Sequence, residues 1–228
     1  MGIPRLTDKI VFPRPERTDA SGIVAYGGDL SVDRLLEAYR QGIFPWSAPD
    51  EPLFWWCPDP RLVLVPSELK VSRSLRAVVR KGIYTIRCDT AFSAVIHACS
   101  VVDRPGEDGT WISAEVERAY TALHRLGYAH SVEAWFGDEL AGGLYGVQLG
   151  RCFFGESMFS RQRDASKVAL IALCQRCQAH ELDLIDCQVT TEHLLSLGAR
   201  EIPRTEFLGK LRGALKYPTD REFWRWPS

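Results

Sequence analysis

Residues 129–136 read AHSVEAWF, 139–147 read ELAGGLYGV and 151–155 read RCFFG; residues 165–180 follow as ASKVALIALCQRCQAH and 182–189 as LDLIDCQV. The first three runs are short and joined by Gly137-Asp138 and by a turn at Leu149-Gly150, chemistry that predicts three antiparallel strands in a meander. Asp164 at the head of the next apolar run predicts a long helix through His180. The apolar segment Leu182–Val189 predicts a buried strand, and Thr191–Leu197 a last helix closed by Gly198.

Outward from this block, Ser72–Lys81 predicts a helix with Leu75, Val78 and Val79 inward and Gly82 as its terminator. A strand is expected over Ile83–Arg87, then a helix carrying Phe92, Val95, Ile96 and Cys99 at i, i+3, i+4, i+7, and another from Ser113 to Gly127. The first sixty residues differ. They are rich in Pro, Gly and aromatics and hold one clear helix, with Ser31 as N-cap, Leu35, Leu36 and Tyr39 as its apolar face and Gly42 at its end. The expectation is an α+β protein in which a small N-terminal domain (1–61) packs on a larger one (62–228). Meander, helix, strand, helix is the element order of acyl-CoA N-acyltransferase-like (GNAT-like) domains, so the larger domain is expected to be GNAT-like. Acetyltransferases of that fold hold the coenzyme A pyrophosphate on a Gly-rich loop opening the long helix. Residues 160–167 read SRQRDASK, without glycine, which disfavours a coenzyme A donor.

The chain has 228 residues, with 28 Lys+Arg against 29 Asp+Glu, 46% hydrophobic and 25% charged residues. Such balance excludes a polycation, so any nucleic-acid site must be a local patch. The longest apolar runs fall far short of the ~20 residues that span a bilayer, and the opening residues MGIPRL lack a signal peptide's apolar core. These features predict a cytoplasmic monomer without membrane contact. Seven cysteines, an odd number, cannot all pair internally. Cys174 and Cys177 form a CxxC inside a helical run with no second pair at metal spacing, so buried thiols are expected rather than a metal or redox centre.

Several residues could carry chemistry. Asp186 and Gln188 share one face at the end of the buried strand. A bare buried carboxylate is costly, so Asp186 either bonds structurally to a helix N-terminus or polarises the Gln188 amide. Glu156 lies in GESMFS (155–160), between apolar residues, which suits a cation. Trp46 and Trp111 lie in Gly/Pro-rich loops, where a ring can stack on a base for ~1–3 kcal/mol. Arg73, Arg76 and Arg80 recur on one helix face beside Lys81, and Arg161, Arg163 and Lys167 form a second cationic group. Few acids interleave, a segregation that suits phosphates. His130-Ser131 and His193 near Ser196 lack the nucleophile elbow and ordered acid of a Ser-His-Asp hydrolase.

The sequence also resembles the bacterial leucyl/phenylalanyl-tRNA–protein transferases, through GGDLS (27–31), GIFPW (42–46), WW (55–56), PDPR (58–61), TWI (110–112), AHSVE (129–133), GGLYG (142–146), FGESMFS (154–160), LIDCQ (184–188) and SLGA (196–199). The resemblance implies transfer of Leu, and also Phe or Met, from aminoacyl-tRNA to the α-amine of proteins beginning with Arg or Lys, feeding the bacterial N-degron route. It implies Asp186 and Gln188 as the catalytic pair and Glu156, with Ser157, in the acceptor and donor pocket. Trp46 and Trp111 become its walls, and Leu144, Phe153, Met158 and Ile185 the lining of the side-chain pocket. Because the donor ester is already activated, neither metal, nucleotide nor other cofactor is expected. A GNAT-type N-acetyltransferase and a non-catalytic tRNA-binding module are the alternatives.

Overall fold

The computed structural model describes residues 2–48, 51–102 and 110–226. The Pro- and Gly-rich opening supports only short pieces: β1 (Arg5–Leu6), β2 (Ile23–Gly27), helix α1 (Val32–Arg40), β3 (Phe44–Pro45) and β4 (Phe54–Trp56). The strands form one small sheet in the order β1-β2-β4-β3. Helix α1 buries Leu35, Leu36 and Tyr39, the face expected from its spacing. The Ser31 side chain makes no capping bond; instead Asp29 Oδ1 accepts the Ser31 N–H at 2.8 Å. After α1, Gly42 takes φ +72°, where a Cβ would stand 2.8 Å from both Phe207 and Leu208, so only glycine lets the two segments meet there.

The remaining elements are β5 (Arg61–Leu64), α2 (Arg73–Lys81), β6 (Thr85–Cys88), α3 (Phe92–Val101), α4 (Ala114–Arg125), β7 (Ala129–Phe136), β8 (Glu139–Leu149), β9 (Cys152–Ser160), α5 (Ala165–Ala179), β10 (Leu184–Gln188), α6 (Glu192–Ser196), β11 (Arg200–Ile202) and α7 (Arg204–Ala214). Their strands make a seven-stranded sheet, β11-β5-β10-β9-β8-β7-β6. Every neighbouring pair is antiparallel except β9–β10, the two strands joined through α5. The mixed α+β architecture follows the expectation. Ser72, Ser113 and Thr191 each cap a helix, accepting the N–H of Leu75, Val116 and Leu194, whereas the sequence predicts caps at Ser31 and Asp164. Asp164 departs from that expectation. It occupies the N-cap of α5 at φ +64° without a side-chain capping bond and pairs with Lys167 at 3.1 Å.

Alternation along the strands divides the core. Tyr145 and Phe154 pack on the side of α3 and α4, while Leu144 and Phe153 pack against α5. The first cluster also takes in Leu35, Tyr39 and Trp55, so one apolar core joins the small sheet to the large one. Helix α5 is buried on nearly every side, because α2 covers its outer face through Leu75, Val168 and Ile171. Among the described residues, no helix is long and apolar enough to cross a membrane.

Candidate active site

Strand β9 pairs with β10 only as far as Phe154 and Asp186. Beyond that point β9 continues along β8 to Ser160, well past the expected end at residue 155. Strand β10 instead breaks register with β5 between Asp186 and Gln188, and Gln188 adopts φ +63°. A bulge of this kind re-aims a side chain. The strands separate, and a cavity of about 590 Å³ opens in the gap.

Residues from both sides of the sheet line it. Leu144, Phe153, Met158 and Ile185, all expected there, make an apolar wall with Leu170 and Leu173 of α5. Trp46, Trp111, Glu156, Ser157 and Gln188 also reach the surface of the cavity. Trp46 is 46% exposed, its ring 5.5 Å from Trp56 in an edge-on arrangement, and its carbonyl accepts the Trp56 indole N–H at 2.6 Å. Much of its π-face is therefore open to a partner.

Asp186 does not line the cavity. It is fully buried, and Arg61 donates to it through Nε at 2.7 Å and through a terminal nitrogen at 2.6 Å. Its Oδ1 also accepts the backbone N–H of Gln188 at 2.9 Å. The expectation that Asp186 polarises the Gln188 amide is corrected on that point: Gln188 Nε2 donates to Glu156 Oε1 at 2.9 Å. The helix-terminus alternative for Asp186 is not realised either. Its partner is a guanidinium, because a buried carboxylate is best satisfied by a bidentate cation.

Glu156 is the hub of the polar wall. Its Oε2 accepts from the Tyr120 hydroxyl at 3.0 Å, and Tyr120 makes a short hydrogen bond with Tyr39. Burial pushes the Glu156 carboxyl up to about 7, with hydrogen bonds from the two tyrosines and Gln188 working in the opposite direction. Burial also pushes both phenols well above their usual range, so they remain donors at neutral pH. Tyr39 was legible only as an apolar helix position. Tyr120 and Arg61 carried no signal of a site beyond Arg61's place in the PDPR motif.

The basic residues lie elsewhere on the surface. Arg73, Arg80 and Lys81 are exposed on α2, while Arg76 turns back to bond the Val71 carbonyl at 3.0 Å. Arg161 and Arg163 are exposed before α5, and Asp164 sits between Arg163 and Lys167 within 3.5 and 3.1 Å, an interleaved acid that trims the second group. The α2–α5 packing sets the two groups on adjoining elements. Cys174 and Cys177 are buried thiols inside α5, with Cys174 pushed up to about 12 by burial. Ser131 donates to Glu133 rather than to His130, whose Nδ1 lies 2.7 Å from Asp89, so that pair forms no hydrolase triad.

Residues 63–212 match the family model described as leucyl/phenylalanyl-tRNA protein transferase, and residues 28–59 match the model for the N-terminal domain of that family. A leucyl/phenylalanyl-tRNA–protein transferase of Anaeromyxobacter dehalogenans is 53% identical over 225 residues, covering 99% of this chain and 97% of its own. One from Myxococcus xanthus is 56% identical over 214 residues, covering 94% and 92%. Among solved structures, a functionally unknown conserved protein from Staphylococcus epidermidis shares 10% identity at a TM-score of 0.44, over 79% of this chain and 68% of that one. Two family models in chain order and near full-length relatives sharing more than half their residues place this chain in the leucyl/phenylalanyl-tRNA–protein transferase family, as an aminoacyltransferase.

Proposed function

We propose that the protein moves Leu, and also Phe or Met, from aminoacyl-tRNA to the α-amine of proteins beginning with Arg or Lys, giving products for the bacterial N-degron route. The observation that carries this reading is the cavity at the β9–β10 gap. It joins an apolar side-chain wall to a polar wall of Glu156 and Gln188, with exposed Trp46 at its edge. Leu144, Phe153, Met158 and Ile185 would hold the donor side chain, and Trp46 and Trp111 the terminal adenosine. The gap between a parallel strand pair is also where a GNAT-like domain receives its acyl donor, so the large sheet (from residue 62) is read as GNAT-like and residues 1–61 as the small domain supplying Trp46.

The chemistry follows from the site. An α-amine with a pKa of about 7.7–8.0 is partly neutral at pH 7, so holding it against the ester carbonyl is the principal task, worth ~7–11 kcal/mol. Gln188 Nε2 is committed to Glu156. That leaves the amide oxygen to accept an N–H of the incoming amine and aim its lone pair. The N–C bond forms, the ester C–O bond breaks, and the proton shed by the amine passes to the leaving ribose hydroxyl. Glu156, with its carboxyl near 7, is matched to carry that proton, and its negative form also suits a cationic N-terminal residue.

The test is transfer of labelled Leu from charged tRNA to Arg- and Leu-initiated peptides. Label on the first and not on the second is expected; label on neither refutes the reading. The Arg73/Arg80/Lys81 face should follow tRNA backbone, so its triple replacement by alanine should lower the slope of log affinity against log salt by roughly 2–3. An unchanged slope removes that assignment.

A further inference from the structure

Asp186 does not line the cavity, yet its buried carboxylate is held by three hydrogen bonds. Both of its oxygens face one guanidinium, and the fork is planar and bidentate, the arrangement with the tightest angular definition a carboxylate can have. Arg61 is itself fully buried, its Cζ 4.8 Å from the Phe44 ring centroid and 4.4 Å from that of Phe207. Its remaining terminal nitrogen has no hydrogen-bond partner among the described residues. The hydrogen bonds this guanidinium makes thus go to Asp186, and two rings pack against it.

Asp186 Oδ1 then accepts the Gln188 N–H across the bulge. Gln188 sits at φ +63°, a region that L residues enter only when neighbours hold them there. The chain of contacts therefore runs from Phe44 and Phe207 through Arg61 and Asp186 to the Gln188 backbone, and on through its amide to Glu156. Phe44 also lines the cavity, two residues before Trp46, so the same guanidinium touches the small sheet and the strand carrying Gln188.

We infer that Arg61 is a positioning residue for the transfer reaction: through Asp186 it clamps the bulge that aims Gln188 into the cavity, in register with the wall that carries Trp46. This rests on the transfer reaction proposed above. Lysine cannot replace it, because a point charge lacks the two parallel donors and the flat faces.

The experiment compares Arg61→Lys, the neutral double variant Arg61→Met with Asp186→Asn, and Phe207→Leu. Methionine beside the two rings keeps the packing of the double variant without a buried charge, and Phe207→Leu leaves the ion pair whole. Active molecules are counted by stoichiometric binding of Leu-tRNA, and kcat is expressed per binding site, so partial unfolding drops out of the measurement. Arg61→Lys and the double variant should lose about 10- to 100-fold in kcat, with KM for Leu-tRNA within about twofold. Phe207→Leu should lose about two- to fivefold. Wild-type kcat per site in any folded one of the three overturns the inference, and Phe207→Leu decides alone if the other two do not fold. An inactive wild type overturns the proposed function and this inference with it; an active wild type with indifferent variants overturns this inference only.

Discussion

Two glutamates are buried in the large sheet, two strands apart, and they live differently. Glu133 on β7 is fully buried and has four donors: the Ala91 N–H at the start of α3 (2.8 Å), Ser131 (2.9 Å), the Trp135 indole (3.1 Å) and Thr90. Its oxygens are satisfied by a helix N-terminus, two hydroxyls and an indole, a structural solution. Glu156 on β9 is 8% exposed, is met by the Tyr120–Tyr39 phenol pair and one amide, borders a cavity and is pushed up to about 7. Burial alone does not mark a functional acid. What separates these two is geometry: Glu133 is enclosed by its donors, and Glu156 borders a cavity.

The largest expected effect concerns the third buried acid. Asp186→Ala strips Arg61 of its partner and leaves a charge in the core, which should lower the unfolding free energy by about 3–5 kcal/mol in urea titrations. A loss below about 1 kcal/mol would show that the pair does not hold the structure. Next comes pH. A carboxyl whose folded value lies above its unfolded one is penalised once ionised: nothing below about 4.5, growing to its full size above about 7. Wild-type stability should therefore fall by roughly 3 kcal/mol between those limits relative to Glu156→Gln. Parallel curves for the two proteins would erase the contrast drawn between Glu133 and Glu156.

Glu133→Gln should cost about 1–3 kcal/mol of stability through its unsatisfied donors, with transfer per folded molecule unchanged. A drop in that specific activity would make Glu133 more than structural. The smallest effect belongs to Tyr120→Phe, which removes a bond that lowers the Glu156 carboxyl. It should shift the midpoint of the pH–activity profile upward and cost about 1 kcal/mol; a midpoint that moves down contradicts the network.

Much of the frame was legible because it is local. The helices that Ser72, Ser113 and Thr191 open stand where their spacing put them, and Gly82 closes α2 in the left-handed region, but the two caps read from sequence, Ser31 and Asp164, make no side-chain capping bond. The cavity walls were legible through the family motifs, with Glu156, Gln188, Trp46 and Trp111 all reaching the cavity. What escaped is non-local. Strand β5 is four buried residues whose apolar run has no periodicity of its own, and α7 was not foreseen although Phe207, Leu208, Leu211 and Ala214 form its buried side. Arg61 looks in sequence like any surface arginine. Its partner stands 125 residues away, and no spacing rule reaches so far.

That separation has a temporal side. Strand β10 completes the gap that holds the cavity by lying between β9 and β5, so a late stretch of a growing polypeptide must find one made more than a hundred residues earlier. Pairings this distant close slowly. A growing polypeptide therefore holds no such cavity until residues 184–188 have been made and have met β5.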